Sequence, residues 1–446
     1  MKRTYNILLA SLLAAGFHST TQAQDDIYPA KPYTGHLFIT GGTIHVGNGQ
    51  VIDNATIEVN DGKIVKIGTD ITPAGDAKTI DAKGKQIYPG LILSVTDLGL
   101  KEIGSGVRGS NDFEELGDLN PNIRSIVAYN TDSKVINTLK SNGILLAGTT
   151  PEGGSISGSS TIVQLDAWNW EDAAYKMDNA IHLTLPSFLV RPRRFGGGAA
   201  RGAQPAPDPV KEALEKVEEL KTFFRQAQAY LAEPAHKETN TKFEAVKGLY
   251  TKQQKLFVHG DQVKQMLIAI EFAKEFNFDV TIVGGSESWL IADLLKQNNI
   301  SVILQQLHAL PTTEDDDVDQ PFKTPAVLQK AGVLFALNDN HEEARYRNLM
   351  FNAGTAVAYG LSKEQALQAI TLNAAKICGI DARTGSLEAG KDANIVISGG
   401  DILDMRTSLI EHCFIQGREV SLENKQTQLY HRYMTKYGLP TTPSIQ

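Results

Sequence analysis

After residue 35 the chain opens with short runs in which apolar and polar residues alternate, the period of half-buried strands. HLFITGGTIHV, ATIEVNDGKIVKIG and KTIDAKGKQIYPG are separated by Gly, Asn and Asp turn signals, with NDGK the clearest hairpin. Far downstream, TGSLEAGKDANIVISGG and LIEHCFIQGREV have the same texture. A small β-sandwich completed by both ends, residues 24–87 and 384–424, is therefore expected, with a tail over 425–446.

Between these segments the pattern changes. LFVHGD, DVTIVGG, ISVILQ and VLFALND are short apolar runs ending in polar or glycine residues, and Gln262 to Phe276, Ser286 to Gln297 and Phe322 to Lys330 have helical apolar spacing. Repeated strand–helix units imply parallel strands, so residues 88–383 read as an α/β domain whose chemistry sits at the C-terminal strand ends. The first half is less regular: ILLAGT, STIVQLD and IHLTLP are strand candidates without an obvious order. Residues 191–210 begin RPRRFGGGAARGAQPAPDP, too rich in Gly and Pro for a packed element, and read as a flexible surface insertion. Its Arg191, Arg193, Arg194 and Arg201 leave two readings open, a lid that attracts an anionic substrate and a solvated loop. The charged helical stretch KEALEKVEELKTFFRQAQAYL that follows is expected to cover the barrel or meet a partner.

Lys2 and Arg3, an apolar run from Ile7 to Phe17 and the small, polar end Thr21-Gln22-Ala23 form the order of a cleavable secretory signal, residues 1–23, which implies an exported, periplasmic protein. That run is too short to span a bilayer, and no second apolar span follows. A net charge of −8 spread over 446 residues argues against nucleic acid as a partner. Cys378 and Cys413 both lie in apolar contexts and are expected to be separate buried thiols.

The strand opening YPGLILSVTDLGL, the segment GSLEAGKDANIVI and the preceding LQAITLNAAKICGI together resemble the amidohydrolase superfamily, and within it the imidazolonepropionase-related group of exported bacterial proteins. The resemblance implies a TIM-like (β/α)8 barrel over 88–383 beside the sandwich. It also implies one or two divalent metals held by paired histidines on the first barrel strand, a bridging carboxylate or carbamylated lysine, two histidines on middle strands and an aspartate on the last. Imidazole and carboxylate suit zinc-like ions, which lower the pKa of bound water to about 7. This sequence departs from that set. Val95 and Asp97 stand where the paired histidines belong, and Gly284 and Gly285 where a middle-strand histidine belongs. His259 matches the other middle-strand histidine, and the last-strand aspartate aligns with Asp339 or, without a gap, with Asn340.

The candidate catalytic pair is thus His259 and Asp339, which are also the only candidate metal ligands of weight; His308, Glu287, Trp289 and Asp97 are candidate substrate-binding residues. His182 and His341 are the remaining histidines near a possible site. No cofactor is expected beyond at most one weakly held zinc-like ion. Three functions remain open: a hydrolase of C–N bonds in small amides, cyclic amides or peptide-like substrates with its binuclear metal site lost, a catalytically inert barrel that binds a small ligand, and a non-catalytic partner subunit of an intact amidohydrolase. The last of these brings a homo- or hetero-oligomer into view.

Overall fold

The architecture was obtained as a computed structural model that describes residues 27–75, 77–102, 112–189, 208–305, 307–339 and 345–440. The signal-like segment, the Arg191–Arg201 part of the insertion, Asn340 and His341 lie outside the described residues.

Strands β1 (His36–His45), β2 (Val51–Asn60), β3 (Lys63–Gly68), β4 (Lys78–Asp81) and β5 (Gln86–Pro89) come first. The strands of the second sheet follow as β6 (Leu91–Thr96), β7 (Ile144–Thr149), β8 (Ile156–Gln164), β9 (Ala174–Thr184), β10 (Lys255–Gly260), β11 (Val280–Gly284), β12 (Ser301–Leu304) and β13 (Phe335–Leu337). β14 (Ile395–Ser398), β15 (Ile410–Ile415) and β16 (Arg418–Glu419) close the list of strands. One sheet runs β16-β15-β14-β5-β1-β2-β3, with β4 added beside β1. Its central joint is antiparallel pairing of β14 with β5, Ile395 opposite Pro89 and Ser398 opposite Gln86, so chain segments far apart in sequence share one ladder. Ile39, Ile57, Ile87, Ile395 and Phe414 pack into its core.

The other sheet is a nearly closed barrel in chain order from β6 to β13. β9 to β13 are mutually parallel, as are β6 and β7, which is the strand direction the resemblance implies. β8 departs from it, pairing antiparallel with both β7 and β9, so STIVQLD runs back down between two upward strands. Every residue of β6 and β7 is buried, as strands covered on both faces must be. Only Gly90 separates the two sheets along the chain; a Cβ there would lie 2.7 Å from Leu145 Cδ1, which is why YPGLI carries a glycine at the crossing.

Helices cover the barrel. Val263–Phe276 starts at a capping box of Gln262 with Gln265 and ends at Asn277 in the left-handed region. The insertion's helix Pro209–Ala232 starts from Asp208, with proline at its first position, and buries Val217, Leu220, Phe223 and Phe224. Phe224 meets the rings of Phe272, Phe276 and Phe278, so this helix covers the barrel wall. Cys378 and Cys413 are both buried and unpaired. No helix among the described residues is long and apolar enough to cross a membrane.

Candidate active site

β10 delivers His259 to the C-terminal end of the barrel after the buried run Leu256–Val258. On β9 its neighbour is His182, in register with Phe257, and His182 Nδ1 lies 2.8 Å from His259 Nε2. One ring N–H therefore donates to the other ring's lone pair. Burial pulls the pKa of His259 down to about 4 and that of His182 well below its usual value, so both imidazoles are neutral at neutral pH. The second nitrogen of His182, Nε2, is buried without a hydrogen-bond partner.

The loop after β11 explains the missing histidine. Gly284 has φ +106° and Gly285 φ +65°, conformations that a side chain disfavours. A Cβ on Gly284 would also lie 2.8 Å from Asp261 Oδ1. Asp261 holds this loop in place, accepting hydrogen bonds from the Ser286 hydroxyl at 2.7 Å and the Ser286 amide at 3.2 Å. Glu287 caps the neighbouring helix: its Oε2 accepts from the Val263 amide at 2.7 Å, where the dipole favours a carboxylate.

Across the barrel, Asp339 is buried just past β13 and accepts from Asn352 Nδ2 at 3.0 Å. Asn338 beside it points its amide into the seam between β13 and β6, accepting from the Ser94 and Val95 amides and donating to the Val95 carbonyl. Asp97 is buried past β6; the Tyr346 hydroxyl donates to it and Lys101 Nζ lies 3.7 Å from its other oxygen. Burial and that carboxylate hold the Tyr346 phenol protonated. Asp97 is thereby tied to Tyr346 and Lys101.

A recess with about 470 Å³ of empty space, its mouth included, opens at the ends of β11 and β12. Gly284, Ser286, Trp289 and Gln305 line it, together with Leu307, Ala309 to Thr312 and the start of the helix Gln320–Ala331. Trp289 thus lines a cavity. His308 does not: its side chain turns to Thr355, with Nε2 3.0 Å from the hydroxyl, and to the Phe322 ring. Asn338, Tyr346 and Gln305 are site residues that sequence reasoning missed, since each acquires its place through the fold and none belongs to a short motif.

The donor set for a metal centre is poor. Val95 has no lone pair to offer, Gly284 no side chain, and among the described residues no group of three His, Cys, Asp or Glu side chains converges in a metal-holding arrangement. The described residues do not fit a binuclear centre.

Comparison with known proteins agrees with this fold. The Amidohydrolase family signature matches residues 262–421. An amidohydrolase of known structure from Thermotoga maritima superposes with a TM-score of 0.69 at 25% identity, covering 86% of this chain and 99% of its own. The chain is similar to the amidohydrolase superfamily in its C-terminal part and in its fold. Imidazolonepropionase from Thermoplasma volcanium is 24% identical over 385 residues, 80% of this chain and 88% of the relative. Imidazolonepropionase from Kosmotoga olearia is 25% identical over 389 residues, 78% and 84% of the two chains. Within the superfamily the chain is thus imidazolonepropionase-related.

Proposed function

We propose that this protein hydrolyses a C–N bond of a small amide or cyclic amide at the C-terminal mouth of its barrel, without the binuclear form of the metal centre that the family resemblance implies. The observation that carries the reading is His259, a neutral imidazole at the end of β10 on the strand-end face where the recess opens. A base that is neutral at working pH can take a proton from an attacking water and return it to the leaving nitrogen. Asp339, fixed by Asn352, supplies a carboxylate on the opposite side of the barrel to orient that water or to balance the charge that His259 gains. Trp289 contributes an apolar wall for the substrate.

A second reading, an inert ligand-binding barrel, draws support from the bond to His182, which occupies His259 Nε2. Two experiments separate the readings. Protein purified without added metal is expected to carry well under one equivalent by elemental analysis; close to two ions per chain that resist dialysis against chelator would overturn the metal part. A panel of small linear and cyclic amides is expected to contain a substrate whose turnover is lost in His259→Ala with metal content unchanged. Turnover equal in wild type and His259→Ala would remove His259 from the chemistry. Export to the periplasm belongs to the same proposal, supported by the order of charged, apolar and small residues over 1–23. Mass spectrometry of the exported protein checks it, and a retained Met1–Ala23 segment would defeat it.

A further inference from the structure

At the opposite end of the barrel from His259, the first residues of β10, β11 and β12 border a cleft with about 1130 Å³ of empty space, its mouth included. Its described lining holds four lysines, Lys252, Lys255, Lys274 and Lys296, and one carboxylate, Asp279. Lys252 Nζ lies 2.9 Å from Asp279 Oδ1, which leaves Lys255, Lys274 and Lys296 without an ion pair among the described residues. Lys274 and Lys296 stand in the last turns of the helices Val263–Phe276 and Ala292–Gln297, where the dipole favours a cation even with no ligand present.

Lys255 has no such explanation. Side chains alternate along a strand, so Lys255 shares a face with Phe257 and His259, and the register of Phe257 with Thr281 and of Thr281 with Ser301 puts both hydroxyls on that face too. The partly buried Lys255 ammonium donates to the Lys376 carbonyl at 2.9 Å, and its remaining hydrogens meet no carboxylate among the described residues. Burial pulls its pKa below the usual lysine value. Thr281, 0% exposed, and Ser301, 8% exposed, line the same cleft with their hydroxyl oxygens 2.7 Å apart. Only one of the two hydroxyl hydrogens can lie between those oxygens, and the other has no acceptor among the described residues. A buried donor without an acceptor and a desolvated cation without an anion are both costly, and one anionic acceptor relieves both.

We propose that this cleft is an anion site that takes a phosphate group, free or as a phosphomonoester, with Lys255 and the Thr281–Ser301 hydroxyl pair as its more buried donors and Lys274 and Lys296 as its exposed cations. Phosphate carries about −1.5 to −2 charge at pH 7 and directs its oxygens several ways, which suits donors from three strands better than a planar, singly charged carboxylate does. The cleft lies away from the strand ends that carry His259, so the site is independent of the hydrolase reading.

The test titrates inorganic phosphate and glycerol 3-phosphate into the full-length protein near neutral pH, followed by calorimetry and phosphorus NMR, with chloride and acetate at matched ionic strength as controls. Phosphate should bind at least about tenfold more tightly than acetate. Lys255→Met keeps the reach of the side chain without its charge and should weaken phosphate at least about tenfold, as expected when a charge-assisted hydrogen bond is lost. The double variant Thr281→Val, Ser301→Ala removes both hydroxyl hydrogens and should weaken phosphate about threefold to tenfold. Lys274→Gln and Lys296→Gln should each weaken it about twofold at low ionic strength, an effect that added salt erases. Equal binding of the two phosphates would identify free phosphate as sufficient, and tighter binding of the ester would show that the occupant carries an organic arm. Urea unfolding checks that each variant is folded; should Lys255→Met fail to fold, the hydroxyl variant carries the same test. A folded Lys255→Met protein or a folded hydroxyl variant that binds phosphate unchanged, acetate or chloride binding as tightly as phosphate, or no binding of either phosphate would overturn the proposal.

Discussion

Removing the Asn338 amide should open the barrel at its seam. β6 and β13 are the two edges of the eight-stranded sheet, and no strand ladder joins them. Asn338 bridges them with its side chain: Oδ1 accepts from the Ser94 amide at 2.9 Å and the Val95 amide at 3.3 Å, and Nδ2 donates to the Val95 carbonyl at 2.8 Å. Its own amide donates to the Leu304 carbonyl at 2.8 Å, so the backbone stays tied to β12 whatever the side chain is. Asn338→Ala leaves two buried donors and one buried acceptor without partners. At about 1–3 kcal/mol for each orphaned group, and allowing a water to enter the vacated space, the cost is about 3–5 kcal/mol. Asn338→Asp keeps both accepted bonds but sets a carboxylate oxygen against the Val95 carbonyl, so its loss should also be large despite the near-identical shape. Urea unfolding measures the total, and hydrogen exchange of the peptide containing Ser94 and Val95 locates it. An Asn338→Ala protein within about 1 kcal/mol of wild type, with that peptide equally protected, would refute the role of the side chain in closing the barrel.

Three further outcomes follow from the same geometry. Gly284→His, which places a histidine where the family resemblance implies one, should destabilise by about 1–3 kcal/mol for the strained backbone alone and add no tightly held metal; a normally stable variant with an extra bound equivalent would count against this. His182 and His259 have folded-state pKa values below the unfolded value, so the unfolded chain takes up their protons first. Their contribution to stability is full above about pH 6.5 and is lost as pH falls toward 4, so His182→Phe should flatten the urea midpoint over that window, and an unchanged slope would refute the assignment. Asp166 is buried between Lys140 Nζ at 2.9 Å and Arg418 Nη1 at 3.3 Å and also accepts from the Ala30 amide, so Asp166→Ala should cost about 3–5 kcal/mol in thermal or urea unfolding by leaving Lys140 buried beside no carboxylate. A loss under about 1 kcal/mol would mean that the pair is solvated.

Much of the fold was legible because burial on one face leaves an alternating record. ATIEVNDGKIVKIG becomes β2, a tight turn and β3, with Asp61 at positive φ where the hairpin reverses. LFVHGD, TIVGG and VLFALND likewise become β10, β11 and β13. The direction of β8 was not legible. Ile156 to Val163 is buried along its whole length, as are its neighbours, and a strand covered on both faces has no periodicity by which to tell up from down. The reversal is written instead in pairing with β7 and β9, which only the fold supplies.

The site divides in a similar way. The absence of the expected histidines was plain from Val95, Gly284 and Gly285, because an absence at a motif position is a local fact. The partners that give the remaining residues their character are not local: His182 meets His259 across 77 positions, Asn338 meets Ser94 across 244, and Tyr346 meets Asp97 across 249. Gly284 shows how the two kinds of information combine. Sequence alone presents it as a lost ligand. In the fold it is one part of a rebuilt turn, with a left-handed backbone, the Asp261 carboxylate in the space of its missing Cβ and Ser286 locked to that carboxylate. A histidine could return only if Asp261 and Ser286 were released and the turn were redrawn, so the departure from the histidine that the family resemblance implies is held by the backbone as well as by the choice of side chain.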